Sequence, residues 1–165
     1  MRIAVIAVGV LVALVALVAL IGALLPVKHH VTREAAVPAP AESLFALITT
    51  PLDFPRWRTG VKRVELLPSV GGLPSYIEHS SNGDITYAVT RSVPGVELVT
   101  AIADKSLPFG GTWTYELIPA GRETTLRITE DGEVYNVIFR FLSRFVFGHA
   151  ATIERYLKDV QRRVG

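Results

Sequence analysis

Ile128-Thr129-Glu130-Asp131-Gly132-Glu133-Val134-Tyr135-Asn136, running into Phe139-Arg140-Phe141, is the stretch on which the fold turns. Through Tyr135 the chain reads as strand. From Ile138 the apolar residues recur every three or four positions, the period of a helix rather than a strand. Asn136 stands at the boundary and reads as the helix N-cap. Ile138, Phe141, Phe145, His149, Thr152, Tyr156 and Val160 then share one face, widened by Leu142 and Ile153. All ten prolines lie at or before Pro119, so the spacing predicts one long helix to the carboxy terminus.

Upstream, short strand signals alternate with turn signals and no helix intervenes. Val61 to Leu67, Ser75 to Ser80, Ile85 to Val93, Val96 to Ala103, Thr112 to Ile118 and Glu123 to Tyr135 read as strands. Asn82-Gly83, Pro94-Gly95 and Pro119-Ala120-Gly121 read as the turns between them. This predicts an antiparallel meander. Ahead of it, His29 to Val37 reads as a first strand. Leu44, Phe45, Leu47 and Ile48 then line a short helix opened by Pro40 and closed before Pro51. Leu52 to Trp57 reads as a second short helix or turn.

The first residues differ from all of this. Ile3 to Leu25 holds 23 residues without a charge, 21 of them Ala, Val, Ile or Leu. As a helix this run reaches roughly 34 Å, about the thickness of a bilayer core. A cleaved signal peptide is the rival reading, but its apolar core is shorter and ends in small residues at A-x-A spacing, which Gly22-Ala23-Leu24-Leu25-Pro26 does not supply. We read residues 1–27 as a transmembrane anchor and 28–165 as one ligand-binding domain, giving a single-pass protein of the bacterial inner membrane. Arg2 on one side, and Lys28 and Arg33 offset by Glu34 on the other, do not set its orientation. The absence of cysteine excludes a disulfide framework and thiolate chemistry.

A curved antiparallel sheet needs one face covered, and a single helix about 10 Å wide cannot fill six or seven strands. The space left over is packed by large side chains or left as an apolar pocket. Three stretches make the likeness specific: Pro38 to Ile48 with Asp53-Phe54-Pro55-Arg56-Trp57, Gly111 to Leu117, and Ile128 to Phe141. Together they resemble the SRPBCC superfamily, the Bet v 1/START-like helix-grip proteins, and within it a polyketide cyclase/dehydrase and lipid-transport subgroup. The resemblance covers roughly residues 29–163 and does not extend to the anchor. It implies an α+β helix-grip fold: a curved antiparallel sheet of six to seven strands, two short helices and one long C-terminal helix. It also implies a cavity for a hydrophobic small molecule, and no particular reaction.

Tyr87, Arg91, Trp113, Tyr115, Phe141, Phe145, His149, Thr152 and Tyr156 are the expected cavity wall. Arg91 falls on the side of Tyr87 and Val89, where it would either meet an anionic end of a ligand or, near the strand end, reach water with its head. His149, Thr152 and Tyr156 would offer donors. Glu130 and Glu133 stand three apart on a strand and therefore face oppositely; the plainer reading of Glu133 is a dipole-complementing residue at the helix start. No catalytic residue is assigned. His29-His30 lacks a third ligand at metal-site spacing, no motif for a nucleotide or other cofactor occurs, and none is expected. Arg140, Arg144, Arg155, Lys158 and Arg162 fall along the opposite side of the last helix. From Asn136 onward there are six basic residues and two acidic ones, so this stripe reads either as a solvated helix face or as a basic ridge suited to anionic lipid head groups. Nucleic acid is not an expected partner, because no aromatic platform alternates with these charges.

Overall fold

The computed structural model describes residues 2–81 and 83–165, with Phe147 by its backbone alone. Helix α1 (Arg2–Leu24) comes first, followed by β1 (Lys28–Val37), α2 (Ala41–Ile48) and a 3-10 turn at Pro51–Arg56. The meander is β2 (Val61–Val70), β3 (Leu73–Ser80), β4 (Gly83–Val93), β5 (Glu97–Ile102), β6 (Phe109–Ala120) and β7 (Glu123–Val134). The chain closes with α3 (Val137–Leu142), a π turn at Ser143–Phe147, and α4 (Ala151–Val164). Seven strands form one antiparallel sheet in the order β1-β7-β6-β5-β4-β3-β2. The two edges are therefore the strands on either side of α2. Asn82 of the expected Asn82-Gly83 turn lies outside the described residues; pairing runs up to Ser80 opposite Gly83.

Alternation places one apolar row per strand on the face that α2 and α4 cover, here called the inner face. Val37, Leu44, Ile48, Leu126, Ile128, Ile153 and Val160 are fully or almost fully buried between sheet and helices. The buried Thr124 hydroxyl donates to the Ala39 carbonyl at 2.8 Å and satisfies the crossing from β1 into α2. Asp159 of α4 accepts from the Thr59 amide at 2.6 Å and the Thr59 hydroxyl at 2.8 Å, tying that helix to the entry of β2.

The C-terminal segment departs from a single helix. Asn136 does cap α3, its side chain accepting from the amides of Ile138 at 2.9 Å and Phe139 at 3.1 Å. The helix is then broken at Gly148, whose φ of 74° and ψ of 135° lie outside the helical region. Only glycine adopts such a backbone without strain, and no other residue type among those described has positive φ. The helical face restarts after Gly148, so positions before and after it no longer share a side. α4 buries Ile153, Tyr156, Leu157, Asp159 and Val160.

Instead of continuing over the sheet, α3 packs against the end of α1. Gly22 makes this approach possible: a Cβ there would lie 1.9 Å from the Val137 carbonyl oxygen. Arg140 adds a hydrogen bond to the Leu25 carbonyl at 3.0 Å. The rest of α1 is exposed, and it is long and apolar enough to cross a membrane.

Candidate functional site

Two groups of side chains stand out on the inner face. The first is an aromatic floor. Tyr156 reaches down from α4 to Trp57, Trp113 and Tyr115, with ring centroids 5.5, 6.0 and 5.4 Å away. Tyr76 and Tyr87, cross-strand neighbours on β3 and β4, continue it at 5.6 Å from one another. Within this floor lies a buried ion pair, Arg58 with Glu78, whose side chains are 16% and 8% exposed. The guanidinium carbon sits 4.8 Å from the Phe54 ring centre and 4.9 Å from that of Tyr156, so ring faces replace part of its lost water. Burial lowers the Arg58 pKa, but the Glu78 carboxylate and the surrounding tyrosines outweigh it and the net is a rise.

Burial pushes the Tyr115 hydroxyl up to about 12, with the Arg58 cation pulling the other way. Burial likewise raises Tyr76, Tyr87 and Tyr156. A phenol whose pKa is raised by folding supports stability below its unfolded value of about 10 and loses that support as pH climbs through the folded value. Of the five tyrosines only Tyr135 is exposed. Absorbance titration near 295 nm should therefore show one reversible ionisation, with the other four appearing together as the protein unfolds above about pH 12. Stepwise reversible titration of all five would contradict the burial.

The second group adjoins the floor on its Trp113 side, on β1 and β7. Glu130 stands opposite Trp113 in the β6–β7 register and faces inward, as its spacing from Glu133 requires. Its Oε1 is 3.3 Å from Nε2 of His29, while Glu130 Oε2 and His29 Nδ1 are buried without a partner. Gly132 gives the imidazole its room: a Cβ there would meet the ring at 2.2 Å. His149 stacks on His29 with centroids 4.0 Å apart and planes 22° from parallel. Burial, then the neighbouring His29, hold the His149 pKa below its ordinary value, with Glu130 opposing. This arrangement puts one carboxylate and two imidazoles within reach of one another. No group of three or more His, Cys, Asp or Glu placed to hold a metal ion occurs among the described residues.

Of the expected wall residues, Tyr87, Trp113, Tyr115 and Tyr156 meet on the inner face, and His149 reaches its edge through His29. Four lie elsewhere. Arg91 is turned outward by a β-bulge: Val89 pairs with Thr100 but Arg91 with Val99, so an extra β4 residue reverses the alternation. Arg91 bonds Glu97 at 2.7 Å on the outer face. Phe145 is 60% exposed and, with Phe141 at 5.0 Å, belongs to the segment before Gly148 that has left the sheet. Thr152 is exposed one position off the buried face of α4.

The break also divides the basic ridge. Arg140 and Arg144 lie beside the end of α1, whereas Arg155 and Lys158 project from α4 and Arg162 pairs with Asp159 at 2.5 Å. Arg58, Glu78 and His29 were not among the expected site residues. Glu78 had a readable signal, since it shares strand parity with Tyr76 and a charge on an apolar face demands a partner.

A cavity of about 50 Å³ lies between Ile48, Pro51, Tyr76, Val89, Leu98 and Thr100. Beyond α4 the inner face is less covered, and Ile85, Tyr87, Ile102 and Trp113 are half-buried there.

Solved structures share this fold. A START superfamily protein from Mycobacterium smegmatis is 20% identical, with a TM-score of 0.67 over 82% of this chain and 97% of that one. The Zhui aromatase/cyclase from a Streptomyces species is 15% identical, with a TM-score of 0.67 over 83% and 93%. Norcoclaurine synthase from Thalictrum flavum is 11% identical, with a TM-score of 0.64 over 84% and 87%. No curated protein matches the chain. The family model described as polyketide cyclase / dehydrase and lipid transport matches residues 28–164, from the first residue of β1 to the last of α4. With the sheet and all the helices after α1 inside that match, the chain belongs to the polyketide cyclase/dehydrase and lipid-transport family.

Proposed function

We propose that residues 1–27 anchor the protein in a membrane and that residues 28–165 bind a hydrophobic small molecule, of lipid-, quinone- or polyketide-like character, on the inner face of the sheet. The supporting observation is the half-buried row Ile85, Tyr87, Ile102 and Trp113 on the face that α4 only partly covers. Apolar side chains left half-wet inside a fold gain by covering with a ligand, at about 25 cal/mol for each Å² removed from water. The 50 Å³ cavity beside Tyr76 is too small for such a molecule, so loading widens the space under α4, and Gly148 is the position where the helix can swing. Tethering raises the local concentration of any ligand dissolved in the bilayer.

Native mass spectrometry of the full-length protein from a mild detergent tests this. The expected result is a co-purifying apolar adduct whose occupancy falls severalfold in Trp113→Ala. Absence of any adduct, together with no binding of a fatty acid, a quinone or a polyphenol, would refute ligand binding. A second reading, cyclase or dehydratase chemistry, draws on the His29–Glu130 pair beside Trp113. There Glu130 or His29 would carry a proton to or from a polyketide-like substrate. It predicts a turned-over product that disappears in Glu130→Gln while the adduct is still bound.

A further inference from the structure

A cleft of about 340 Å³ opens where α1 meets the domain, lined by Leu25, Lys28, His29, Arg140, Arg144 and His149 among others. No acidic residue lines it. The nearby carboxylates are committed: Glu130 to His29, Asp131 to His30, and Glu133 to Lys28 and Tyr135. Arg140 and Arg144 have no carboxylate partner among the described residues. Arg140 is half-buried and held by two carbonyls, those of Leu25 at 3.0 Å and Tyr135 at 3.3 Å, while its Nε is buried with no partner at all. Two guanidiniums one turn apart, neither paired with an acid and one of them fixed by main chain, form a site for an oxyanion.

Its place in the fold identifies the source of that oxyanion. The helix before the cleft reaches about 34 Å, enough to fill a hydrocarbon core of about 30 Å. Leu25 to Lys28 follow at once and therefore lie at head-group depth. We propose that this cleft is a phosphate site for an anionic membrane phospholipid, held by Arg140 and Arg144 with His29 and His149 at its inner edge. This rests on the reading of α1 as a membrane span and is independent of what the inner face binds. Three charged groups lie on the side of the histidines: Glu130 on β7, Arg144 on the π turn and Arg140 on α3. An entering phosphate opposes the burial and the neighbouring positive groups that hold the His149 pKa below its ordinary value, so phosphate binding and protonation of His149 favour one another.

The test titrates detergent-solubilised full-length protein with phosphatidylglycerol, with phosphatidylcholine of the same acyl chains, and with inorganic phosphate, counting adducts by native mass spectrometry. Phosphatidylglycerol should bind about 30-fold more tightly than phosphatidylcholine, at about fivefold per arginine. Arg144→Gln should lose about fivefold for phosphatidylglycerol alone. Arg140→Gln/Arg144→Gln should bring both lipids level, and Arg155→Gln/Lys158→Gln should change nothing. Arg140 also bonds main chain, so if its variant fails to fold, Arg144→Gln decides. Equal binding of the two lipids, or phosphatidylglycerol binding untouched by Arg144→Gln, overturns the site. Inorganic phosphate displacing phosphatidylglycerol at equal concentration overturns the lipid source. A lipid held only by its tails on the inner face would show no head-group preference, which separates this result from failure of the ligand-binding reading.

Discussion

Arg58→Leu should cost about 3–5 kcal/mol of stability, because it strands the Glu78 carboxylate inside an aromatic floor. Glu78→Leu should cost a similar amount by stranding the guanidinium. The double substitution should recover most of the loss, since two leucines need no partner and can pack against Phe54 and Tyr156. Both side chains are well below one-third exposed, so solvent screens the pair weakly. Cation–π contact with the two rings adds on the order of 1 kcal/mol to what Arg58 contributes, and this part is not restored by Glu78 alone. The measurement is thermal or urea unfolding of the three variants beside the parent protein. Either single substitution costing under about 1 kcal/mol, or a double variant no better than the singles, would show that the pair is wet in solution.

That pair also marks the limit of what residue pattern conveys. Strand order, the helix start at Asn136 and the inward side of Trp113, Tyr115 and Tyr156 all follow from local periodicity, and local periodicity is written in neighbouring residues. Arg91 shows how one inserted residue defeats it. The alternation through Ile85, Tyr87, Val89 and Arg91 is unbroken in sequence, yet a bulge after Val89 puts Arg91 on the far side. Bulges are decided by pairing with the neighbouring strand, not by the strand itself.

Gly148 is the opposite case. It lay in plain view within an otherwise continuous helical pattern, and apolar residues on both sides of it kept the period. What decided the outcome was α1: Gly22 offers α3 a close seat against Val137, and the segment before Gly148 takes that seat rather than the sheet. The Arg58–Glu78 and His29–His149 contacts join residues 20 and 120 positions apart, and neither distance carries a local signature. The candidate site was legible where it is made of aromatic residues on strands. It was hidden where it is made of charges brought together by the fold.

Removing residues 1–27 should move the protein completely from the membrane fraction to the soluble one without unfolding it. Fifteen residues between Ile3 and Leu25 are Val, Ile or Leu. At about 0.3–0.6 kcal/mol each, their insertion is worth about 5–9 kcal/mol, which leaves well under one molecule in a thousand outside the bilayer. The domain gives up little in exchange. Its buried core residues lie on β1 to β7, the turn at Ala39, α2, the 3-10 turn and the loop after it, and α4; only Gly22 of α1 is buried among the described residues. The shortened chain would lack the seat of Val137 on Gly22 and the bond from Arg140 to Leu25, both at α3, and the bond from the Val134 amide to the Val27 carbonyl at the end of β7. It should therefore show cooperative unfolding and an intact tyrosine environment, with loosening confined to residues 134–147. Alkaline carbonate should leave the full-length chain in the pellet and the shortened chain in the supernatant. A shortened chain that aggregates in several buffers would mean that α1 belongs to the core. A mature native protein whose first residue falls between 24 and 30 would mean that α1 is a cleaved signal peptide, and the cleft beside Leu25 would then lie outside any bilayer.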